Sequence, residues 1–300
     1  MTRRISVIGG GLIGRAWALV FARAGCKVQL WDPDPEVRAK ALDALAEACQ
    51  ISGDDPSVLA QVAISADMAS AVEGVEWVQE NGPENLQIKR EIYAELDRLA
   101  GLETILASSS SALVASSFAE GLPNRSRILV AHPVNPPHVI PVVELCPGPD
   151  TAAVVMDRAE ALMLAVGQVP VRLNREIDGF VLNRLQAVVI AESLRLIEQG
   201  VVSPKGLDDT ICHGLGRRWT LLGPMATINL NAPGGVKDYL DRYGPTMTRL
   251  SDSAARGEAF TERAADIVAA ELPTPDQVEE LSRQRDSRLA ELDRFLRNNE

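Results

Sequence analysis

One short segment constrains this chain more than any other, Gly9-Gly10-Gly11-Leu12-Ile13-Gly14. An apolar run over residues 5–8 leads into it, and a helical pattern over 12–24, ended by Gly25, leads out. Gly9, Gly11 and Gly14 stand at the three formal positions of G-x-G-x-x-G. The first allows a tight turn, the second lets backbone approach a pyrophosphate, and the third lets the helix pack on the strand. A phosphate there meets the amides of Leu12 and Ile13 and the positive end of the helix dipole. A second strand, residues 27–31, ends in Asp32, eighteen residues past Gly14. An acid at that place accepts hydrogen bonds from ribose hydroxyls and repels a 2′-phosphate, and Pro33-Asp34-Pro35 offers no base to bind one. The unit therefore predicts a dinucleotide site that takes NAD in preference to NADP.

The first half alternates strand and helix signals. Further strands are expected at 75–79, 104–107, 128–131 and 142–145, with helices near 36–49, 85–99 and 151–166. Such alternation predicts an α/β fold, a Rossmann-type doubly wound and mostly parallel sheet covered on both faces. After about residue 175 the strand signals stop. Asp178 suits the N-cap of a long helix over 180–199, closed by Gly200, and Ser203-Pro204 suits the start of another. Thr274-Pro275-Asp276-Gln277 has the form of a capping box for a last helix, with Val278, Leu281, Leu289, Leu292 and Leu296 on one face. The expected division is a nucleotide-binding domain over 1–175 and an all-helical domain over 176–300.

Bulk properties narrow the partners. No segment reaches the eighteen or so uninterrupted apolar residues of a membrane span. Met1-Thr2-Arg3-Arg4 runs straight into the first strand, so no signal peptide is expected. Cys26, Cys49, Cys146 and Cys212 lack the spacing of a metal or redox motif and fit a reducing cytoplasm. A net charge of −11 argues against a nucleic-acid or anionic-membrane partner.

Only three histidines exist, His132, His138 and His213. His132 follows a predicted strand at its carboxyl end, where open α/β sheets place their chemistry. Four prolines within residues 133–141 then force a turn, and Glu144 sits in the apolar run after it. A buried carboxylate needs a partner, and an imidazole across the turn is the natural one. On local sequence alone, a base with its orienting acid and a histidine satisfied in the core weigh equally. The run Ser108-Ser109-Ser110-Ser111 follows another strand at its carboxyl end, although serine runs are usually a plain polar loop or, here, an N-cap for the helix near Val114. Asn183 lies on an apolar helical stripe with Ala187, Ile190 and Leu194, suited to a helix-to-helix bond or to a substrate contact.

Several segments together carry a resemblance. Ala107-Ser108-Ser109-Ser110-Ser111-Ala112-Leu113, His132-Pro133-Val134-Asn135-Pro136, Val143-Glu144 and Gly179-Phe180-Val181-Leu182-Asn183-Arg184 match, in order, the landmarks of the 3-hydroxyacyl-CoA dehydrogenase superfamily. Gly214-Leu215-Gly216-Arg217-Arg218-Trp219 and Leu230-Asn231-Ala232 are similar to its lambda-crystallin branch, known for L-gulonate 3-dehydrogenase activity. The resemblance implies His132 as general base and Glu144 as its orienting carboxylate. It makes Ser111 and Asn183 partners of the reacting oxygen and the histidine region, and lines the nicotinamide half of NAD with Glu84 and Lys89. It departs from the acyl-CoA pattern at Ser109, where asparagine is usual, and at Val134, where an aromatic is usual.

The resemblance implies NAD-dependent oxidation of the 3-hydroxyl of a small hydroxy acid, by a homodimer joined through the helical domain. No metal is expected. The alternatives are a 3-hydroxyacyl-CoA or carnitine-type dehydrogenase and a crystallin-like protein without turnover, against which the intact His132 and Glu144 speak. Acyl-CoA members carry a lysine-rich insertion after the second strand. Here residues 34–61 hold only Arg38 and Lys40 against Asp34, Glu36, Asp43, Glu47, Asp54 and Asp55. A compact carboxylate needs one guanidinium, and Arg218 matches the lambda-crystallin pattern there, although Arg217 and Arg218 equally suit a solvated surface.

Overall fold

The computed structural model describes residues 2–254, 257–274 and 277–299. The chain opens with β1 (Arg4–Ile8), α1 (Leu12–Arg23), β2 (Lys27–Trp31), α2 (Pro35–Ser52), β3 (Val62–Ile64), α3 (Met68–Val72) and β4 (Trp77–Glu80). It continues with α4 (Leu86–Leu99), β5 (Ile105–Ser108), α5 (Ala115–Ala119), β6 (Ile128–Pro133), β7 (Val142–Pro147), α6 (Ala153–Ala165) and β8 (Val169–Arg172). Thereafter only helices follow, α7 (Leu182–Glu198), α8 (Pro204–Thr210), α9 (Gly216–Trp219), α10 (Pro224–Leu230), α11 (Gly235–Ala254), α12 (Glu262–Ala269) and α13 (Val278–Arg297). A π-helical turn, Ile211–Leu215, joins α8 to α9. No helix among the described residues is long and apolar enough to cross a membrane.

The strands form one sheet in the order β3-β2-β1-β4-β5-β6-β7-β8. From β3 through β6 every neighbouring pair is parallel; β7 then runs antiparallel to β6, and β8 parallel to β7. All residues of β4, β5 and β6 are buried, as expected of strands covered on both faces. One face packs Trp17, Leu19 and Phe21 of α1 with Leu45 of α2 and Met163 of α6. The other packs Val72, Tyr93, Leu96 and Phe118 from α3, α4 and α5. This is the doubly wound sheet that the alternating pattern predicts.

Two strands escape the sequence reading. β3 has three residues and pairs only with β2, which is too short for periodicity to register. β8 contains Pro170, and it holds its place because it is an edge strand, where the missing amide costs no ladder bond. Helix α7 starts at Leu182, two residues later than expected, because Gly179 and Phe180 both adopt left-handed backbone.

The chain divides into two compact units, Met1–Asn183 with Glu279–Glu300, and Arg184–Val278. The division thus falls after Asn183 rather than after residue 175, and the last helix groups with the sheet. Leu289, Leu292 and Leu296 of α13 line one cavity with Val139, Ile140 and Val169, while Arg283 pairs with Glu47 of α2 at 2.9 Å. Pro275 and Asp276 of the expected capping box lie outside the described residues. Gln277 Oε1 does accept a hydrogen bond from the Thr274 amide at 3.2 Å.

A buried ion pair joins α4 to the start of β6. Arg127 donates to Asp97 Oδ1 at 2.9 Å and to the carbonyls of Asp97, Ala100, Gly101 and Thr104. Removing the acid strands a buried guanidinium. Asp97→Ala should therefore lower unfolding free energy by about 3–5 kcal/mol, measured by urea denaturation. Glu95→Ala, which breaks an exposed pair with Arg98 one turn away, should barely move the midpoint. Equal midpoints for the two variants would contradict this account.

Candidate active site

The phosphate turn has the geometry its glycines require. Gly9 has φ +95° and donates to the Trp31 carbonyl at 2.7 Å. A Cβ on Gly14 would lie 1.8 Å from the Gly9 carbonyl oxygen, whereas one on Gly11 would meet nothing within 4 Å. The closed side is strand–helix packing, and the open side is room for a ligand. Gly11 is the N-cap of α1; no side chain caps that helix, and its first turn holds no acid. The amides of Leu12 and Ile13 thus face an outside acceptor.

Asp32 is oriented by the glycine turn and by its own, accepting from the Gly10 amide at 2.7 Å and from the Asp34 amide at 2.9 Å. Arg38, one turn into α2, brings a guanidinium close by, which the reading of residues 33–35 missed. It donates to the carbonyls of Asp32 at 2.6 Å and Pro33 at 3.1 Å. The residues therefore fit NAD, with a cradle for the pyrophosphate and a carboxylate for the ribose.

Behind the cradle, Lys89 departs from expectation. Its ammonium is buried, 3.0 and 2.9 Å from the two oxygens of Glu80, and does not line an open cleft. Ser108 Oγ and the Gly82 amide complete the Glu80 shell at 2.8 and 2.5 Å. A buried charge needs such partners, so Lys89 shapes the loop after β4 from beneath. Glu84, on that loop, turns its carboxylate onto the serine run. It accepts from Ser110 Oγ at 2.5 Å and from the amides of Leu113, Ala112 and Ser111 at 3.0, 3.2 and 3.3 Å. Burial alone would push the Glu84 carboxyl up; the Ser110 hydroxyl and the three amides outweigh it and hold the group below its usual range.

Ser109 is a junction that local sequence could not read. Its hydroxyl accepts from Trp17 Nε1 at 3.1 Å and Gln79 Nε2 at 2.7 Å, and donates to Asn81 Oδ1 at 2.7 Å. Gln79 Nε2 also reaches the Ala131 carbonyl at 3.3 Å, beside His132, and Asn81 Nδ2 reaches the Ile8 carbonyl at 3.1 Å, beside Gly9. One saturated hydroxyl therefore ties the glycine turn to the histidine strand.

The antiparallel pairing of β6 with β7 sets His132 directly opposite Glu144. His132 Nδ1 lies 2.9 Å from Glu144 Oε2, and both side chains are buried. An ionised carboxylate only accepts, so Nδ1 carries the proton and Nε2 offers a lone pair. Glu144 Oε1 accepts from the amides of Val181 at 2.9 Å and Leu182 at 3.0 Å. Burial raises the Glu144 carboxyl, but His132 and these two amides together hold it below the usual range. Asn183 Nδ2 donates to the Ser111 carbonyl at 2.9 Å, which draws the serine run toward the start of α7. The Ser111 hydroxyl itself is exposed. His138 is elsewhere: its Nδ1 is buried without a partner, its carbonyl accepts from Arg23, and burial pushes its imidazole below the usual range. His213 is exposed in the π-helical turn, and Arg218 is exposed in α9.

A parallel nucleotide-binding sheet with a phosphate cradle, a ribose carboxylate and a buried His–Glu pair at a strand's carboxyl end defines a protein of the NAD-dependent dehydrogenase class. Residues 4–177 match the NAD-binding domain of 3-hydroxyacyl-CoA dehydrogenase, and residues 179–266 match its C-terminal domain. The chain belongs to the 3-hydroxyacyl-CoA dehydrogenase family, and NAD is its cofactor. It is 45% identical to a lambda-crystallin homolog of Bos taurus over 292 residues, covering 94% of this chain and 91% of that protein. It is 38% identical to a 3-hydroxyacyl-CoA dehydrogenase of Gibberella moniliformis over 258 residues, covering 83% and 80%. Among solved structures, 5-formyl-3-hydroxy-2-methylpyridine 4-carboxylic acid 5-dehydrogenase, an NAD+-dependent dismutase, superposes with a TM-score of 0.85 at 28% identity, covering 99% of each chain.

The place of Asp32 at the end of β2 gives a testable expectation for cofactor choice. Wild-type protein should bind NADH far more tightly than NADPH in fluorescence titrations, and Asp32→Ser should narrow that gap by removing the charge that repels a 2′-phosphate. Equal affinities in the wild type would refute the role given to Asp32.

Proposed function

We propose that this chain oxidises the 3-hydroxyl of a small free hydroxy acid, as L-gulonate 3-dehydrogenase does. The observation that carries this reading is the His132–Glu144 pair, whose geometry leaves Nε2 of a buried imidazole as a base. NAD, bound along residues 9–14, supplies the acceptor for the hydride. His132 Nε2 takes the hydroxyl proton. Glu144 stays ionised because its hydrogen bonds hold its pKa down, and it stabilises the imidazolium that forms, as buried acids do in other His–acid pairs. The Ser111 hydroxyl donates to the reacting oxygen. Asn183 acts through the Ser111 carbonyl and fixes where that hydroxyl stands.

Three observations support a free acid over an acyl-CoA. Within residues 34–61 there are two bases, Arg38 held on carbonyls and Lys40 loosely paired with Glu36 on the surface, among six acids, so little there would draw CoA phosphates. The structural relative at TM-score 0.85 is named for a free pyridine carboxylic acid. Arg218 is exposed, and its planar fork suits bidentate capture of a carboxylate. A homodimer formed through the helical unit is part of the same proposal. Within Arg184–Val278 the buried described residues are Ile197, Pro204, Thr227, Ala232, Ala259 and Ala264, while Leu221 is 74% exposed and Val188 70%. That is a poor core for a unit of this size, and a second copy would cover it. The free thiols support a cytoplasmic location.

The test is NADH formation followed with L-gulonate, other free 3-hydroxy acids and 3-hydroxybutyryl-CoA. Turnover of free acids is expected. It should fall roughly 10²–10⁴-fold in His132→Gln and hold in His138→Ala. Efficient oxidation of the CoA ester with none of the free acids would replace this reading with the acyl-CoA one. For the carboxylate site, Arg218→Lys should raise KM for the hydroxy acid much more than it changes NADH affinity. An unchanged KM would leave Arg218 a surface base.

A further inference from the structure

We propose that Phe180 is a positioning residue for the His132 base, its ring and its left-handed backbone acting together to keep the imidazole in one tautomer. This rests on the reading of His132 as the base. Phe180 has φ +49°, and among the described residues no other residue except glycine has a positive φ. A bulky side chain in that region is strained, and the strain persists only where the surroundings over-determine the conformation. Glycine would adopt the same backbone without strain, and Gly179, at φ +72°, does so one residue earlier. The phenyl ring must therefore offset the cost, and its surroundings show how.

The ring is fully buried, and its centroid lies 5.3 Å from that of the His132 imidazole at an interplanar angle of 38°. It therefore packs against the imidazole in a tilted aromatic contact, and a ring so close obstructs rotation of the imidazole about its Cβ–Cγ bond. The backbone does the complementary work. The Phe180 amide closes a turn onto the Ile177 carbonyl at 3.1 Å. After the two left-handed residues, the next two amides, Val181 and Leu182, converge on Glu144 Oε1. With Oε1 so occupied, Oε2 is the oxygen left to face His132 Nδ1. Glu144 is the charged group hydrogen-bonded to that imidazole, so the turn fixes both the histidine face and the acid that selects its tautomer.

A flipped imidazole, or one with mixed tautomers, would present the wrong nitrogen to a substrate hydroxyl. A misplacement of this kind costs rate rather than cofactor affinity. Phe180→Leu keeps most of the volume without the aromatic face, and Phe180→Gly removes the ring while relieving the backbone. Both should lower kcat per active site roughly 10–100-fold, shift the pH profile of kcat/KM and leave the NADH dissociation constant unchanged.

The second readout needs no substrate. In 15N-histidine-labelled protein, assigned by the signal lost in His132→Gln, long-range 1H–15N spectra should show His132 protonated at Nδ1 alone. Phe180→Leu should mix the two tautomers. A folded Phe180→Leu with wild-type imidazole signals and an unmoved pH profile overturns the proposal, as does a variant whose only change is a lower Tm. If the wild type oxidised no hydroxy acid while the tautomers still mixed in Phe180→Leu, the hydroxy-acid reading would fall and the positioning by Phe180 would stand.

Discussion

The His132 end of this sheet is arranged about one buried carboxylate, Glu144. Glu144 is buried away from solvent, and so must draw its partners from the protein. It finds them in two separate stretches of chain: an imidazole on β6 and two successive backbone amides at the start of α7. The reversal of strand direction after β6 makes this possible, because an antiparallel neighbour puts Glu144 directly across from His132. A parallel continuation would need a long crossover before any residue could stand there. The proline-rich turn between the two strands thus sets the His132–Glu144 pair as well as the fold.

Two further polar assemblies extend that order. Glu84 gathers the hydroxyl of Ser110 and three successive amides, and so sets the loop whose Ser111 carbonyl receives Asn183. Ser109 joins Trp17, Gln79 and Asn81, and through them the carbonyls of Ile8 and Ala131. The nucleotide turn and the histidine strand are therefore not independent. Both lean on side chains that are saturated with hydrogen bonds, and saturated networks resist rearrangement more than isolated bonds do.

Much of this was legible in the sequence because it rests on local rules. The glycine turn, Asp32 and the alternation of strands and helices follow from backbone sterics and burial over short stretches. The pairing of His132 with Glu144 could be inferred from four prolines and one carboxylate in an apolar run. What escaped depends on distant partners. Lys89 reads as a solvent-facing or ligand-facing base until Glu80, nine residues back, is seen to take its charge. Ser109 reads as loop polarity until Trp17 arrives from another helix. Arg38 lies on an exposed turn of α2 and reveals its target only once Pro33 and Asp34 have bent the chain. Phe180 signals hydrophobic burial, and nothing in its neighbours apart from Gly179 hints at a left-handed backbone.

The placement of α13 bears on how the protein is made. Residues 279–299 group with the sheet, although residues 184–278 are synthesised in between. A ribosome delivers the first 183 residues well before the helix that lies along Val139, Ile140 and Val169, and chains generally fold domain by domain as they emerge. The nascent sheet must therefore wait, with that apolar margin uncovered, while residues 184–278 are made. The edge strand β8 is short and carries Pro170 and Arg172, both of which discourage pairing with a neighbouring chain during that interval.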